Sequence, residues 1–225
     1  MTATLDTTAT ELIDCGRAAV RAGLVRGSGG NLSARVAGTD TAWVTASGTW
    51  LDELTPDGLS LVDLATGAVV AGNPRPTSEL ALHLATYRAR PDATVLIHLH
   101  PQISVLLDAL GERIRLVTID HAYYLREVRS TPFRQSGTQE LADIGADAMR
   151  DGCNCVMLGH HGCSVIADSM ELALKRALNL EEAATATYRA LTLGRPVPEC
   201  PPEYLERIRA AEARAAGTSE PAGTA

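Results

Sequence analysis

Residues 95–101 read V-L-I-H-L-H-P. A short apolar run bounded by a proline reads as a buried strand. On a strand, residues i and i+2 face the same side, so His98 and His100 point together with their Cβ atoms roughly 6–7 Å apart. Both can reach one ion. Pro101 suits the first helical position of Q-I-S-V-L-L-D-A-L, and Gly111 closes that helix. A strand end running into a helix start is where α/β folds place sites. Zinc binds neutral imidazole, and a catalytic zinc keeps three protein ligands and one open position. The plain alternative is a pair of satisfied histidines at a strand end. His160-His161-Gly162, after a second strand V-M-L-G, offers a third imidazole and weighs for the ion.

Outward from that stretch, the strands and helices intermix. A-W-V-T-A (42–46) reads as a strand ending at Ser47-Gly48, and 59–72 reads as a hairpin around Thr66-Gly67. Thr8 and Glu11 fit a capping box for a first helix. Thr77 or Ser78 caps a helix through E-L-A-L-H-L-A-T-Y-R-A, and R-L-V-T-I (115–119) reads as another strand. Residues 120–137 read as irregular, a helix of about 14 residues starts near Thr138, and strands flank His160-His161-Gly162. Asp168 and Glu171 cap a long helix that ends at Gly194. The expectation is one α/β domain over residues 1–210 with a mixed, largely antiparallel sheet covered by helices. Residues 211–225, rich in Ala, Gly, Thr, Glu and Pro, read as a disordered tail.

Composition sets limits. Of 225 residues, 45% are hydrophobic but only 4% aromatic, so the core must rest on Leu, Val, Ile and Ala. A net charge of −7 argues against nucleic acid, and an anionic substrate would need local donors. No apolar run reaches the ~18 residues of a membrane span, and the N-terminus has no signal-peptide pattern, which points to the cytoplasm. Five cysteines at irregular spacings read as buried thiols rather than bridges or a zinc site.

Donors and a carboxylate accompany the histidines. G-S-G-G-N-L-S (27–33) can turn several backbone N–H groups toward an oxyanion, though it lacks the Walker lysine and the dinucleotide fingerprint. Ser47-Gly48 and Thr77-Ser78 add hydroxyls and turn N–H groups. Glu79 opens a helix, where a carboxylate often only complements the dipole. Its i+4 neighbour His83 shares its helical face, so the two read as a surface contact or as a base with a supporting partner.

In this order the segments 27–33, T-A-S-G (45–48), T-S-E-L-A-L-H (77–83), Y-R-A-R-P-D-A-T-V-L-I-H-L-H-P (87–101), S-G-T-Q-E-L-A (136–142) and L-G-H-H-G-C-S-V (158–165) resemble the class II aldolase/adducin family. Within it, the L-fuculose-1-phosphate aldolases are most similar. The resemblance implies a three-layer α/β/α sandwich assembled as a homotetramer with sites at subunit interfaces. It implies a zinc ion, or another divalent metal, on His98, His100 and His161. Glu79 matches the acid/base carboxylate, whose pKa burial would raise toward that task. Gly30, Asn31, Ser47, Gly48, Thr77 and Ser78 match the positions that hold the phosphate of a small sugar phosphate; Thr77 replaces a serine common there.

The activity implied is cleavage of a ketose 1-phosphate, L-fuculose 1-phosphate or a related deoxy-ketose phosphate, to dihydroxyacetone phosphate and an aldehyde through a metal-stabilised enediolate. In these aldolases a tyrosine of the neighbouring subunit is the second acid. Here I-D-H-A-Y-Y-L (119–125) departs from their pattern and looks more like a stretch of the ribulose-phosphate 4-epimerases, which carry an aspartate where this chain has Tyr123. Tyr123, Tyr124 and His121 are the candidates. A same-fold epimerase, dehydratase or decarboxylase is the alternative. A non-catalytic adducin-like module is disfavoured, because both HxH histidines, His161 and Glu79 are intact. Tyr204, near the C-terminus, is a candidate to close over the site or to pack beneath a terminal helix.

Overall fold

The computed structural model describes residues 6–217. Eight strands form one sheet: β1 (Asn31–Arg35), β2 (Thr41–Thr45), β3 (Leu59–Asp63), β4 (Val69–Gly72), β5 (Val95–Leu99), β6 (Arg129–Thr131), β7 (Cys155–Leu158) and β8 (Gly162–Ala167). Their order is β4-β3-β2-β1-β5-β8-β7-β6. Every pairing is antiparallel except β6 with β7. The mixed, largely antiparallel sheet expected from the sequence is therefore present.

Strand alternation sorts side chains into two cores. Val95, Ile97 and Leu99 of β5 point one way, with Leu32 and Ala34 of β1 and Cys163 and Val165 of β8. That face carries α1 (Thr7–Arg21), α3 (Gln102–Ala109), α4 (Ile119–Leu125) and α6 (Met170–Thr192). Leu96 points the other way, with Val156, Leu158 and Ile166, under α2 (Leu80–Ala89) and α5 (Gln139–Met149). The result is helix–sheet–helix layering. Each fully buried Leu or Ile contributes about 1.5–3 kcal/mol. The polar residues of β1 and β5, Asn31, Ser33 and His98, fall on the α2 side. The functional groups thus gather on one face at the end of β5.

Several local expectations are corrected. Residues 115–118 form no strand, and 119–125 form α4. The Arg115 N–H donates to Thr187 Oγ1 of α6 and the Leu116 carbonyl accepts from Cys200 N, so this stretch pairs outside the sheet. Thr118 caps α4 in a capping box whose third residue is His121 rather than Glu or Gln, a substitution that hides the helix start. β6 also falls within the segment read as irregular. Asp6, not Thr8, caps α1 by accepting from Ala9 N, and its carboxylate also accepts from Trp43 Nε1. Ser169, not Asp168, caps α6. Pro101 sits one position outside α3. Its first N–H groups are capped from afar: Glu181 of α6 accepts from Ile103 N, Ser104 N and Ser104 Oγ.

A last helix, α7 (Pro202–Gly217), packs against α4. It covers 211–217, where composition suggests disorder, and residues 218–225 of that expected tail lie outside the described residues. Tyr204 sits half-buried on α7. No described helix is long and apolar enough to cross a membrane.

Candidate metal centre and active site

His98, next to last in β5, is fully buried, and His100 lies two residues on, just past the strand. The β7–β8 turn brings His161 to them. The three ring centroids are 4.8–5.1 Å apart. His98 Nε2 and His100 Nε2 are 3.0 Å apart. Each of the three residues offers a ring nitrogen within 4.8 Å of the others. Two glycines make the seat. A Cβ on Gly162 would stand 2.5 Å from His100 Cδ2 and 2.5 Å from the Leu99 carbonyl; one on Gly29 would stand 2.8 Å from His100 Nδ1. We expect Gly162→Ala to push the His100 ring aside and weaken metal binding more than about 10-fold, the loss typical of disturbed ligand orientation. Competition against a chromophoric chelator measures this.

Glu79 stands at the N-cap position of α2 but does not cap it. Its N–H donates to Thr77 Oγ1, and its buried carboxylate turns into the centre. Oε2 lies 3.2 Å from His98 Nε2 and Oε1 lies 3.4 Å from His161 Nε2. Asn31 Nδ2 donates to Oε2 (2.9 Å) and Ser136 Oγ to Oε1 (3.0 Å). Burial pushes this carboxyl up, but His98, the Asn31 amide, His161 and the Ser136 hydroxyl pull it further down, to about 2. The sequence-based expectation of a raised value is thereby corrected: Glu79 rests as a carboxylate. A fully formed donor cage outweighs the cost of its burial.

Burial holds the His98 imidazole down at about 3 and lowers His100 as well. Both are neutral at pH 7 and keep a lone pair. Ser164 Oγ lies 3.3 Å from His98 Nδ1 and can take that proton, which turns the Nε2 lone pair to the centre. His161 Nδ1 is buried with no hydrogen-bond partner. The His98 Nε2 lone pair and the Glu79 carboxylate oxygens therefore converge beside two further imidazoles. A divalent cation answers that arrangement. The 3.0 Å between His98 Nε2 and His100 Nε2 is close to the roughly 3.3 Å that a tetrahedral ion with bonds of about 2.0–2.1 Å sets between two ligand nitrogens. The cysteines do not compete. All five are free and buried, and burial pushes the Cys163 thiol to about 12.

The polar loops meet beside Glu79. Thr45 links them: its Oγ1 accepts from Leu32 N and its carbonyl accepts from Thr77 N. The Ser47 N–H is committed to the Arg75 carbonyl, so Ser47 offers a ligand its hydroxyl rather than its amide. Gly30 and Gly48 both adopt positive φ, and a Cβ on Gly30 would meet the His98 carbonyl at 2.8 Å. Ser78, exposed next to buried Thr77, completes the group. Asn31 spends its side chain on Glu79 and on His83, whose Nε2 lies 2.6 Å from Asn31 Oδ1.

Tyr123 and Tyr124 do not join this centre. They ride on α4, on the opposite face of the sheet, with their rings edge-on 5.1 Å apart. Tyr123 is about half exposed beneath the Arg126 guanidinium, and the Tyr124 carbonyl accepts from Arg176. Among the described residues, no hydrogen bond or ring contact connects either to the triad or to Glu79. His121 Nδ1 accepts from Thr118 N in the α4 cap, and its Nε2 faces Glu182 at 3.9 Å rather than the triad. Ser136, Ser33 and Ser164 were missed in the sequence. Ser33 had a signal, lying two residues from Asn31 on one strand face; Ser136 opens the segment 136–142 but nothing local points it at Glu79.

The buried His83 makes acid stability testable. Burial depresses its imidazole to about 4 from the ordinary 6.5. Between those values the unfolded chain binds a proton that the folded chain refuses. Stability is therefore complete above pH 6.5 and falls as the pH drops toward 4. At pH 5 this loss is about 2 kcal/mol. Denaturant midpoints at pH 8 and pH 5 should show His83→Gln shrinking the acid loss by about that amount. An unchanged loss would contradict the assignment.

The comparisons with known proteins agree with this geometry. The family model described as the Class II Aldolase and Adducin N-terminal domain matches residues 10–188. A Bacillus thuringiensis protein named 5-deoxy-D-ribulose 1-phosphate aldolase is 30% identical over 199 residues, 88% of this chain and 92% of that one. The L-fuculose phosphate aldolase of Methanocaldococcus jannaschii is 32% identical over 163 residues, 72% of this chain and 86% of its own. A solved L-fuculose 1-phosphate aldolase superposes with a TM-score of 0.83 at 29% identity, covering 92% of this chain and 98% of the other. A match over residues 10–188, on a fold and histidine centre built up independently of it, makes this chain a member of the class II aldolase/adducin family.

Proposed function

We propose that the chain is a divalent-metal-dependent aldolase that cleaves a ketose 1-phosphate to dihydroxyacetone phosphate and an aldehyde. The observation that supports this most is the convergence of a buried carboxylate with three imidazoles beside laced polar loops. Zinc suits three nitrogen ligands, which His98, His100 and His161 would supply. When bound, the ion supplies Lewis-acid stabilisation of negative charge developing on the substrate oxygens.

The chain's own groups do the rest. Gly30, Asn31, Ser47, Gly48, Thr77 and Ser78 hold the phosphate, locally supplying the donors an acidic protein needs. In cleavage the C4 hydroxyl gives its proton up to solvent, the C3–C4 bond breaks, and its electron pair passes into an enediolate. Glu79, a carboxylate at rest, takes a proton from solvent and delivers it to C3, which becomes the hydroxymethyl carbon. In synthesis the same carboxylate, ionised at rest, removes that proton. Tyr123, with Tyr124 beside it, serves the aldehyde oxygen from a neighbouring copy in a homotetramer. The half exposure of Tyr123 supports that placement.

The substrate is L-fuculose 1-phosphate or a related deoxy-ketose phosphate; the names of the relatives include 5-deoxy-D-ribulose 1-phosphate. The test offers metal-loaded protein a panel of ketose 1-phosphates and follows dihydroxyacetone phosphate through a coupled reductase. Release from at least one deoxy-ketose is expected. No release from any member, with epimerised, dehydrated or decarboxylated product instead, would overturn the aldolase reading.

A further inference from the structure

A string of hydrogen bonds runs from the carboxylate into the protein. Glu79 Oε2 meets Asn31 Nδ2 at 2.9 Å, and Asn31 Oδ1 meets His83 Nε2 at 2.6 Å. His83 Nδ1 meets Ser33 Oγ at 2.6 Å, and Ser33 Oγ meets Tyr87 Oη at 2.8 Å. Asn31, Ser33, His83 and Tyr87 are all buried. We propose that His83 is a positioning residue: held as the neutral Nε2–H tautomer, it fixes the Asn31 carboxamide so that Asn31 turns N–H, and never its carbonyl, toward Glu79 and the substrate anion. This rests on the proposed roles of Glu79 and Asn31 in the aldol reaction.

The direction of each bond follows from its neighbour. The oxygen and nitrogen of a carboxamide have nearly the same shape, so packing alone does not orient them. An ionised carboxylate only accepts, so the Asn31 atom beside Glu79 must be the nitrogen. Asn31 Oδ1 then faces His83 and needs a donor, which makes His83 Nε2 the protonated ring nitrogen. His83 Nδ1 is left with a lone pair, so Ser33 must donate to it. Ser33 Oγ in turn accepts from Tyr87, whose other contact, the Thr94 carbonyl, is longer at 3.3 Å.

Burial disfavours the imidazolium, so the ring carries one proton, which the Asn31 carbonyl oxygen places on Nε2. A flipped Asn31 would set its oxygen against Glu79 Oε2 at 2.9 Å and leave two buried acceptors facing each other. The second Nδ2 hydrogen finds no acceptor among the described residues and is free for a phosphate oxygen. One tautomer therefore sets both the acid/base carboxylate and an anion donor.

Two measurements on the metal-loaded protein decide this. The first is imidazole ¹⁵N NMR at pH 7, with the His83 signals assigned by their loss in His83→Gln. Protonated Nε2 and unprotonated Nδ1 are expected; the Nδ1–H tautomer or an imidazolium would overturn the proposal. The second compares His83→Gln, which keeps a donor at the reach of Nε2, with His83→Met, which keeps the length without a donor. At equal metal content, Gln should hold kcat/KM within about 10-fold, and Met should lose about 10²-fold, the scale of a small misplacement at a reacting group. Met performing as well as Gln would overturn it. If Met fails to fold, the tautomer alone decides. A correct tautomer in a protein that cleaves no ketose phosphate would sink the functional reading and leave the His83–Asn31 assignment standing.

Discussion

Glu79→Gln is expected to lower kcat about 10³-fold on whichever ketose 1-phosphate the enzyme cleaves, while metal content stays at the wild-type level. A positioned acid/base group contributes about 10²–10⁴-fold. Gln has the shape of Glu and can still accept from the Asn31 amide, so the string behind it is preserved. What it cannot do is exchange a proton with carbon. The three imidazoles do not depend on Glu79 for their convergence, since strand β5 and the β7–β8 turn place them. KM should move little, because the loops proposed to hold the phosphate are untouched. Metal analysis alongside the kinetics separates the readings: loss of the ion would make Glu79 chiefly a ligand.

His161→Gln carries the second large effect. It should weaken metal binding by more than about 100-fold, beyond the 10–100-fold typical of losing a group that merely supports a ligand. Two imidazoles would remain, one fewer than a catalytic zinc keeps. His161 lies partly open to solvent at the turn, with one ring nitrogen buried and unpartnered, so its loss disturbs the centre more than the core. Turnover should return with excess metal in solution, and a titration of activity against free metal reads the shift. Wild-type metal affinity would contradict the ligand assignment.

The centre was legible where one element's geometry carries the information. Two-residue periodicity alone puts His98 and His100 on one face. The glycine-rich loop and the Thr77-Ser78 turn were legible as turns, and the positive φ of Gly30 agrees with that. Other features depend on partners distant in sequence. The start of α4 was hidden because His121 takes a capping role that patterns assign to Glu or Gln. The cap of α3 comes from Glu181, almost 80 residues away. The pKa of Glu79 was expected to rise because burial can be guessed from sequence, whereas the opposing contacts from His98, Asn31, His161 and Ser136 exist only once the fold brings them together. Tyr123 and Tyr124 sit on the far face of the sheet from the histidines, a placement that depends on the α4 start the sequence concealed.

The most direct test of the account is the release of dihydroxyacetone phosphate before and after metal removal. Protein stripped with a chelator, and shown by elemental analysis to hold no metal, should cleave no ketose 1-phosphate above background. Addition of one equivalent of zinc per chain should restore the activity. Undiminished release from the verified metal-free protein would contradict it.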